Sequence, residues 1–142
     1  MSPSQVLRRF YEAELAYLTA GGPGRASFAG IASLLDPQVV MHQAAGLPYG
    51  GDWVGPDGVE RFFAAMNDTW EYLEVREPRF LEDGDTLVVL CDLVTRSRAR
   101  GVDMHAPMVQ VIQVRDGLIV DFRPFYWDTA AVAAACAHHD ET

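Results

Sequence analysis

Helices in the first half of the chain and an antiparallel sheet in the second, the helices packed on one face of it, make an α+β domain the fold class this sequence predicts. Three observations point there. Apolar residues recur at helical spacing up to Trp70. Four runs rich in Val, Leu, Ile and aromatics follow it, and short Gly/Asp clusters separate those runs. At 142 residues the chain fits one domain, long enough to bury a core without disulfides or a metal.

The elements follow in order. Ser2-Pro3-Ser4-Gln5 is a helix start, with Ser2 as N-cap and Gln5 able to reach back to it. Val6, Phe10, Ala13 and Tyr17 then form one stripe, with Leu7, Tyr11 and Leu18 beside it. Gly21-Gly22-Pro23-Gly24 stops the pattern. Residues 28–35 read as a second short helix closed by Asp36-Pro37, and residues 39–42 as a short strand ending in His42. A Gly/Pro-rich crossing carrying Tyr49 and Trp53 leads to a third helix opening at Pro56, with Asp57 near its positive end and Val59, Phe62, Phe63 and Met66 on its apolar side. Strands are expected at residues 74–81, 86–98, 102–115 and 118–127, with hairpin turns between them, Asp116-Gly117 the tightest. Asp128-Thr129 caps a last helix over residues 130–138.

Composition excludes several classes of partner. The formal charge is -9, and all eleven basic residues are arginines scattered along the chain. Nucleic acid and anionic membrane are poor partners for such a surface. Cys91, in an apolar run, and Cys136, in an alanine-rich helix, suit two reduced, buried thiols, which points to the cytoplasm. The N-terminus lacks the apolar core of a signal peptide, and no stretch is long enough to span a bilayer. Without secretion, the glycosylation sequon at Asn67-Asp68-Thr69 carries no meaning. No phosphate loop, dinucleotide fingerprint, nucleophile elbow or zinc spacing is present, so no cofactor is expected.

The order of elements, together with D-x-x-V-V-x-H at residues 36–42, L-P-Y-G-G at 47–51, G-x-x-G-V-x-x-F-F at 55–63 and D-G-L-I-V-D-F-R at 116–123, resembles the SnoaL-like and ketosteroid-isomerase-like branch of the nuclear transport factor 2-like superfamily. The resemblance spans nearly the whole chain. It implies a cone-shaped fold, a curved sheet wrapped around helices with a deep, mostly apolar pocket, often in a homodimer. Fold does not fix function here, since such folds host isomerases, cyclases, epoxide hydrolases, dehydratases and binding modules. Alignment on the ketosteroid isomerases puts His42 at the position of the catalytic base. Their oxyanion-hole tyrosine falls at Phe10, next to Tyr11, and their protonated aspartate at Val109. The aspartate that SnoaL-type cyclases carry on the last strand falls at Pro124.

The hairpin near Ala99-Arg100 sets Val94 opposite His105 and Arg96 opposite Asp103, which leaves Asp92 diagonal to His105. The alignment assigns that face to the pocket, so Asp92/His105 becomes a possible acid–base pair beside His42. The bland reading is a cross-strand ion-pair ladder for Asp92, Arg96 and Asp103, and a core or rim group for His42. A register shift of one residue would take His105 off the pocket altogether. Tyr11 or Tyr126 would donate a hydrogen bond to a developing oxyanion. Tyr49, Trp53, Trp70, Val109, Phe122 and Pro124 are expected around the ligand. Asp128 is read as a cap, His138-His139 as a weak metal signal, and a triad of His42, His105 and Asp92 as a remote metal possibility. The resulting expectation is a cofactor-independent isomerase, cyclase or dehydratase for an apolar, oxygen-bearing small molecule. The alternative is a non-catalytic ligand-binding or dimerisation module.

Overall fold

The computed structural model describes residues 1–137, so His138-His139 and the end of the predicted last helix lie outside the described residues. Helix α1 (Pro3–Thr19) begins with the expected capping box: the Ser2 hydroxyl accepts from the Gln5 backbone N–H, and the Gln5 side chain accepts from the Ser2 N–H. It buries Val6, Leu7, Phe10 and Tyr17. Helix α2 is a single turn, Ala29–Ala32, rather than the helix expected over residues 28–35. The difference has a tertiary cause: Leu34 gives its carbonyl to the Ile119 N–H and Leu35 pairs with Ile119, so the sheet takes these residues.

Strand β1 (Leu35–Gln43) is accordingly longer than the expected 39–42. Strand β2 (Gly51–Val54), read from sequence as a loop, pairs antiparallel with β1 at the sheet edge, His42 opposite Asp52. Two glycines and an aspartate in and beside it hid a strand held by its neighbour alone. The loop before β2 folds so tightly that a Cβ on Gly50 would lie 2.4 Å from the Ala44 carbonyl oxygen. Helix α3 (Gly55–Thr69) opens at Pro56 as expected and buries Val59, Phe62 and Phe63.

Four long strands complete the sheet: β3 (Trp70–Asp83), β4 (Thr86–Ser97), β5 (Asp103–Arg115) and β6 (Leu118–Tyr126). They form the antiparallel meander read from the sequence, and β6 then pairs in parallel with β1, giving the order β2-β1-β6-β5-β4-β3. Asp116 and Gly117, at φ 53° and 78°, make the tight turn that two positive-φ residues allow. Strand β3 changes register between Arg76 and Arg79, where Glu77 has φ 52°. This is a bulge that bends a long strand. The core lies between the helices and the concave face of the sheet: Phe10 packs against Phe63 and Phe122, with ring centroids 6.4 and 5.7 Å away. Both cysteines are free and buried, as expected. No helix among the described residues is long and apolar enough to cross a membrane.

Helix α4 (Thr129–Cys136) closes one end of the core with Val132, Ala135 and Cys136, and the Asp128 carboxylate caps it by accepting from the Ala131 N–H at 3.0 Å. Asp128→Ala should therefore lower stability by about 1 kcal/mol in urea unfolding, whereas Asp128→Asn should change it little. Equal losses in the two variants would remove the capping role.

Candidate functional site

Alternation along the strands decides which side chains reach the interior. On β4 the buried series is Leu87, Val89, Cys91, Leu93, Thr95 and Ser97; on β5 it is Met108, Gln110, Ile112 and Val114; on β6, Ile119, Phe122 and Pro124. Between this face and helices α1 and α3 lies a cavity of about 360 Å³. Its walls are apolar and aromatic, with Phe10, Phe62, Phe63, Trp70 and Phe122 among them. Leu18, Asn67, Glu71 and Tyr72 are exposed lining residues and form its mouth.

The expected register of β4 against β5 is correct, but the face is not. Val94 opposes His105 and Arg96 opposes Asp103, and all four stand on the outer face of the sheet. Asp92 and His105 are 3.7 Å apart, exposed by 37% and 65%, so the pair lies outside the cavity. Asp92 therefore belongs to a surface ladder in which Arg96 also bridges Glu71 and Asp103 at 2.9 and 3.0 Å. Val109, of the same parity as His105, points outward too. His42 alternates with the buried Met41 and Gln43 and is likewise outside the cavity. Its Nδ1 lies 2.7 Å from Asp52, and its Nε2 lies 2.7 Å from Asp121 and 3.2 Å from Arg123. The imidazolium can donate to both carboxylates, while a neutral ring protonated at Nδ1 keeps Asp52 and accepts from Arg123. Either form ties β2 to β6 across β1. The structure does not bring His42, His105 and Asp92 together, and no three His, Cys, Asp or Glu among the described residues could hold a metal ion.

Tyr49 and Trp53 sit behind the wall rather than on it. Tyr49 is 1% exposed, and its ring and that of Trp53 pack against Phe62. The Trp53 indole N–H donates to the Tyr49 carbonyl, which fixes the loop. Trp70, Phe122, Pro124, Tyr11 and Tyr126 do line the cavity. The tyrosines are not free donors, however: Tyr11 gives its hydroxyl proton to Gln110 Oε1 at 2.5 Å, and Tyr126 gives its own to Gln43 Oε1 at 2.9 Å. The Tyr49 hydroxyl lies 3.4 Å behind Tyr126. Burial raises the pKa of Tyr11 and Tyr126 and pushes Tyr49 up to about 12, so all three phenols stay neutral in ordinary buffers.

The titratable group inside is one that sequence reasoning passed over. Glu14 lines the cavity on α1 and is half-buried there. Burial pushes its pKa up to about 7. Among the described residues no arginine, lysine or histidine lines the cavity to oppose this shift. A signal was present in the sequence: Glu14 falls three residues after Tyr11 and four before Leu18, in the row that flanks the apolar stripe.

The chain matches the family model of the SnoaL-like domain over residues 7–122. It belongs to the SnoaL-like family. No curated protein matches its sequence. Among solved structures it is similar to an NTF2-like protein of unknown function from Burkholderia pseudomallei K96243, at 25% identity over 96% of this chain and 99% of that one, with TM-score 0.81. It is also similar to TerC co-crystallised with polyporic acid, at 22% identity, coverage of 94% and 97%, and TM-score 0.76. A third similar structure is a candidate polyketide cyclase from Pseudomonas putida KT2440, at 14% identity, coverage of 96% and 99%, and TM-score 0.74. These likenesses establish the nuclear transport factor 2-like fold of this SnoaL-like chain.

Folded Glu14 keeps its proton up to about pH 7, while the unfolded carboxyl loses it near the ordinary value of 4.5. In that window the folded state holds more protons, so stability falls as pH rises. Glu14→Gln should leave the melting temperature near that of the parent at pH 4 and raise it by several degrees at pH 8. An equal shift at both values would remove the buried carboxyl as its cause.

Proposed function

We propose that this SnoaL-like domain is a small-molecule enzyme that moves a proton on an apolar, oxygen-bearing ligand held in the cavity. One observation carries this reading: an uncompensated carboxyl, Glu14, with a pKa of about 7, stands inside an aromatic chamber. A general base works best when its pKa lies near the working pH. As carboxylate, Glu14 takes a proton from a carbon next to a carbonyl, and the bond's electron pair moves onto the oxygen as an enolate. The carboxylic acid so formed returns the proton, at the same carbon or a conjugated one. Return at the second carbon is isomerisation; attack of the enolate on another carbonyl, or loss of a neighbouring hydroxyl, gives cyclisation or dehydration. The SnoaL-like family and the similarity to a candidate polyketide cyclase support this class of chemistry.

A second reading is a ligand-binding module without catalysis. It draws on the outward placement of His42 and His105, which leaves no histidine among the described residues that line the cavity. Proton exchange separates the two. With 2-tetralone in deuterated buffer, the protein should accelerate exchange of the α-protons seen by NMR, with a rate that climbs with pH to half its plateau near 7. Glu14→Gln should lose about 10²-fold or more of that acceleration. No acceleration by the parent chain would favour the binding module, and full activity in Glu14→Gln would remove Glu14 from the mechanism.

A further inference from the structure

The two cavity glutamines accept hydrogen bonds through their amide oxygens. Gln43 and Gln110 are 8% and 6% exposed, and both line the cavity. Each places its amide oxygen against a tyrosine hydroxyl, Gln43 at Tyr126 and Gln110 at Tyr11, so the N–H₂ ends point away from those hydroxyls. Neither Nε2 donates to any group among the described residues. Neither is sealed away either, since the single enclosed, unpartnered side-chain atom among those residues is Trp70 Nε1. The Gln110 N–H₂ is thus left facing the cavity, and that of Gln43, whose side chain borders both the cavity and a shallower recess beside His42 and Arg123, is open at the boundary of the two. A donor in such a place without a partner is costly, and a ligand acceptor removes that cost.

Their positions are set by the sheet. Met41 pairs with Phe122 across the parallel β1/β6 ladder, so Gln43 and Pro124, each two residues further on, stand in one row; Pro124 in turn pairs with Gln110. Three adjacent strands place the two glutamines roughly 10 Å apart at the backbone. The Pro124 ring, which offers no N–H, lies between them as apolar floor. The lining also limits charge: among the described residues Glu14 and Glu71 are its carboxyls, and no cationic residue lines it to meet an anion.

We infer that the Gln43 and Gln110 carboxamides are the ligand-recognition groups of the cavity, and that they select uncharged carbonyl compounds with a ring system and reject carboxylates. This rests on the cavity being the ligand site, as proposed above, and assigns the oxyanion-facing donors to amide N–H rather than to phenol. In the reaction the enolate oxygen formed when Glu14 removes the proton accepts from these N–H groups.

The test uses three probes of one shape: 2-acetylnaphthalene, 2-ethylnaphthalene and 2-naphthoate, with binding to the full chain measured by calorimetry at pH 7.5. The ketone should bind about tenfold tighter than the hydrocarbon, and tighter than the carboxylate. Gln110→Leu frees the Tyr11 hydroxyl to take over as donor, so the decisive variants are Tyr11→Phe/Gln110→Leu and Tyr126→Phe/Gln43→Leu. Each should shrink the ketone preference while the ethylnaphthalene affinity stays within about twofold, which also reports that the cavity is intact. Tyr11→Phe alone should keep the preference. Survival of the preference in both double variants, its loss in Tyr11→Phe alone, or tight binding of naphthoate would each overturn the inference. Failure of all three probes to bind would remove the cavity as ligand site and both readings with it. Loss of exchange in Glu14→Gln bears on catalysis alone.

Discussion

A strand sends successive side chains to opposite faces, and in this chain the helices cover only one of them. Phe10 of α1 meets both Phe63 of α3 and Phe122 of β6, and that packing commits Leu93, Met108 and Gln110 to the interior through the ladders beside β6. Once this parity is set, there is no latitude left for the neighbours. Asp92, His105 and Val109 stand outside because Leu93, Ala106, Met108 and Gln110 do not, and His42 is outside because Met41 and Gln43 are in.

The same constraint separates what the residues disclosed from what they withheld. The meander, its turns and the helix caps were legible, because turn chemistry and Ser2 or Asp128 at a helix start act locally. Even the pairing of Val94 with His105 followed from the position of the hairpin. The face was harder. Strand β5 reads Pro107-Met108-Val109-Gln110-Val111-Ile112, apolar on both sides, so nothing within it says which series is covered. Strand β4 does carry a marker, since Asp92 and Arg96 share a parity that suits water, opposite to the face the family resemblance implies. Strand β2 and the beginning of β1 were missed for a related reason: they exist because of ladders to distant residues, Ile119 above all.

The interior chemistry follows from desolvation more than from the placement of opposite charges. Glu14 has no cation to hold it ionised, and the phenols of Tyr11 and Tyr126 are pushed further from ionisation by the same burial. The cavity thus has one group poised to change protonation near neutrality, among neutral ones that orient. His42, by contrast, is engaged on the outside as a tie across three strands, with a carboxylate partner at each ring nitrogen.

The bulge at Glu77 also has a bearing on how copies of the chain meet in a crowded solution. Strand β3 is one edge of the sheet and β2 is the other. An open edge is a template onto which another chain can add a strand. Around its bend β3 exposes Glu74, Arg76, Glu77, Pro78 and Arg79, where one residue lacks an N–H and four bring charge; β2 is four residues long. Both borders are therefore poor templates, and the features that shape them disfavour growth of the sheet by strand addition.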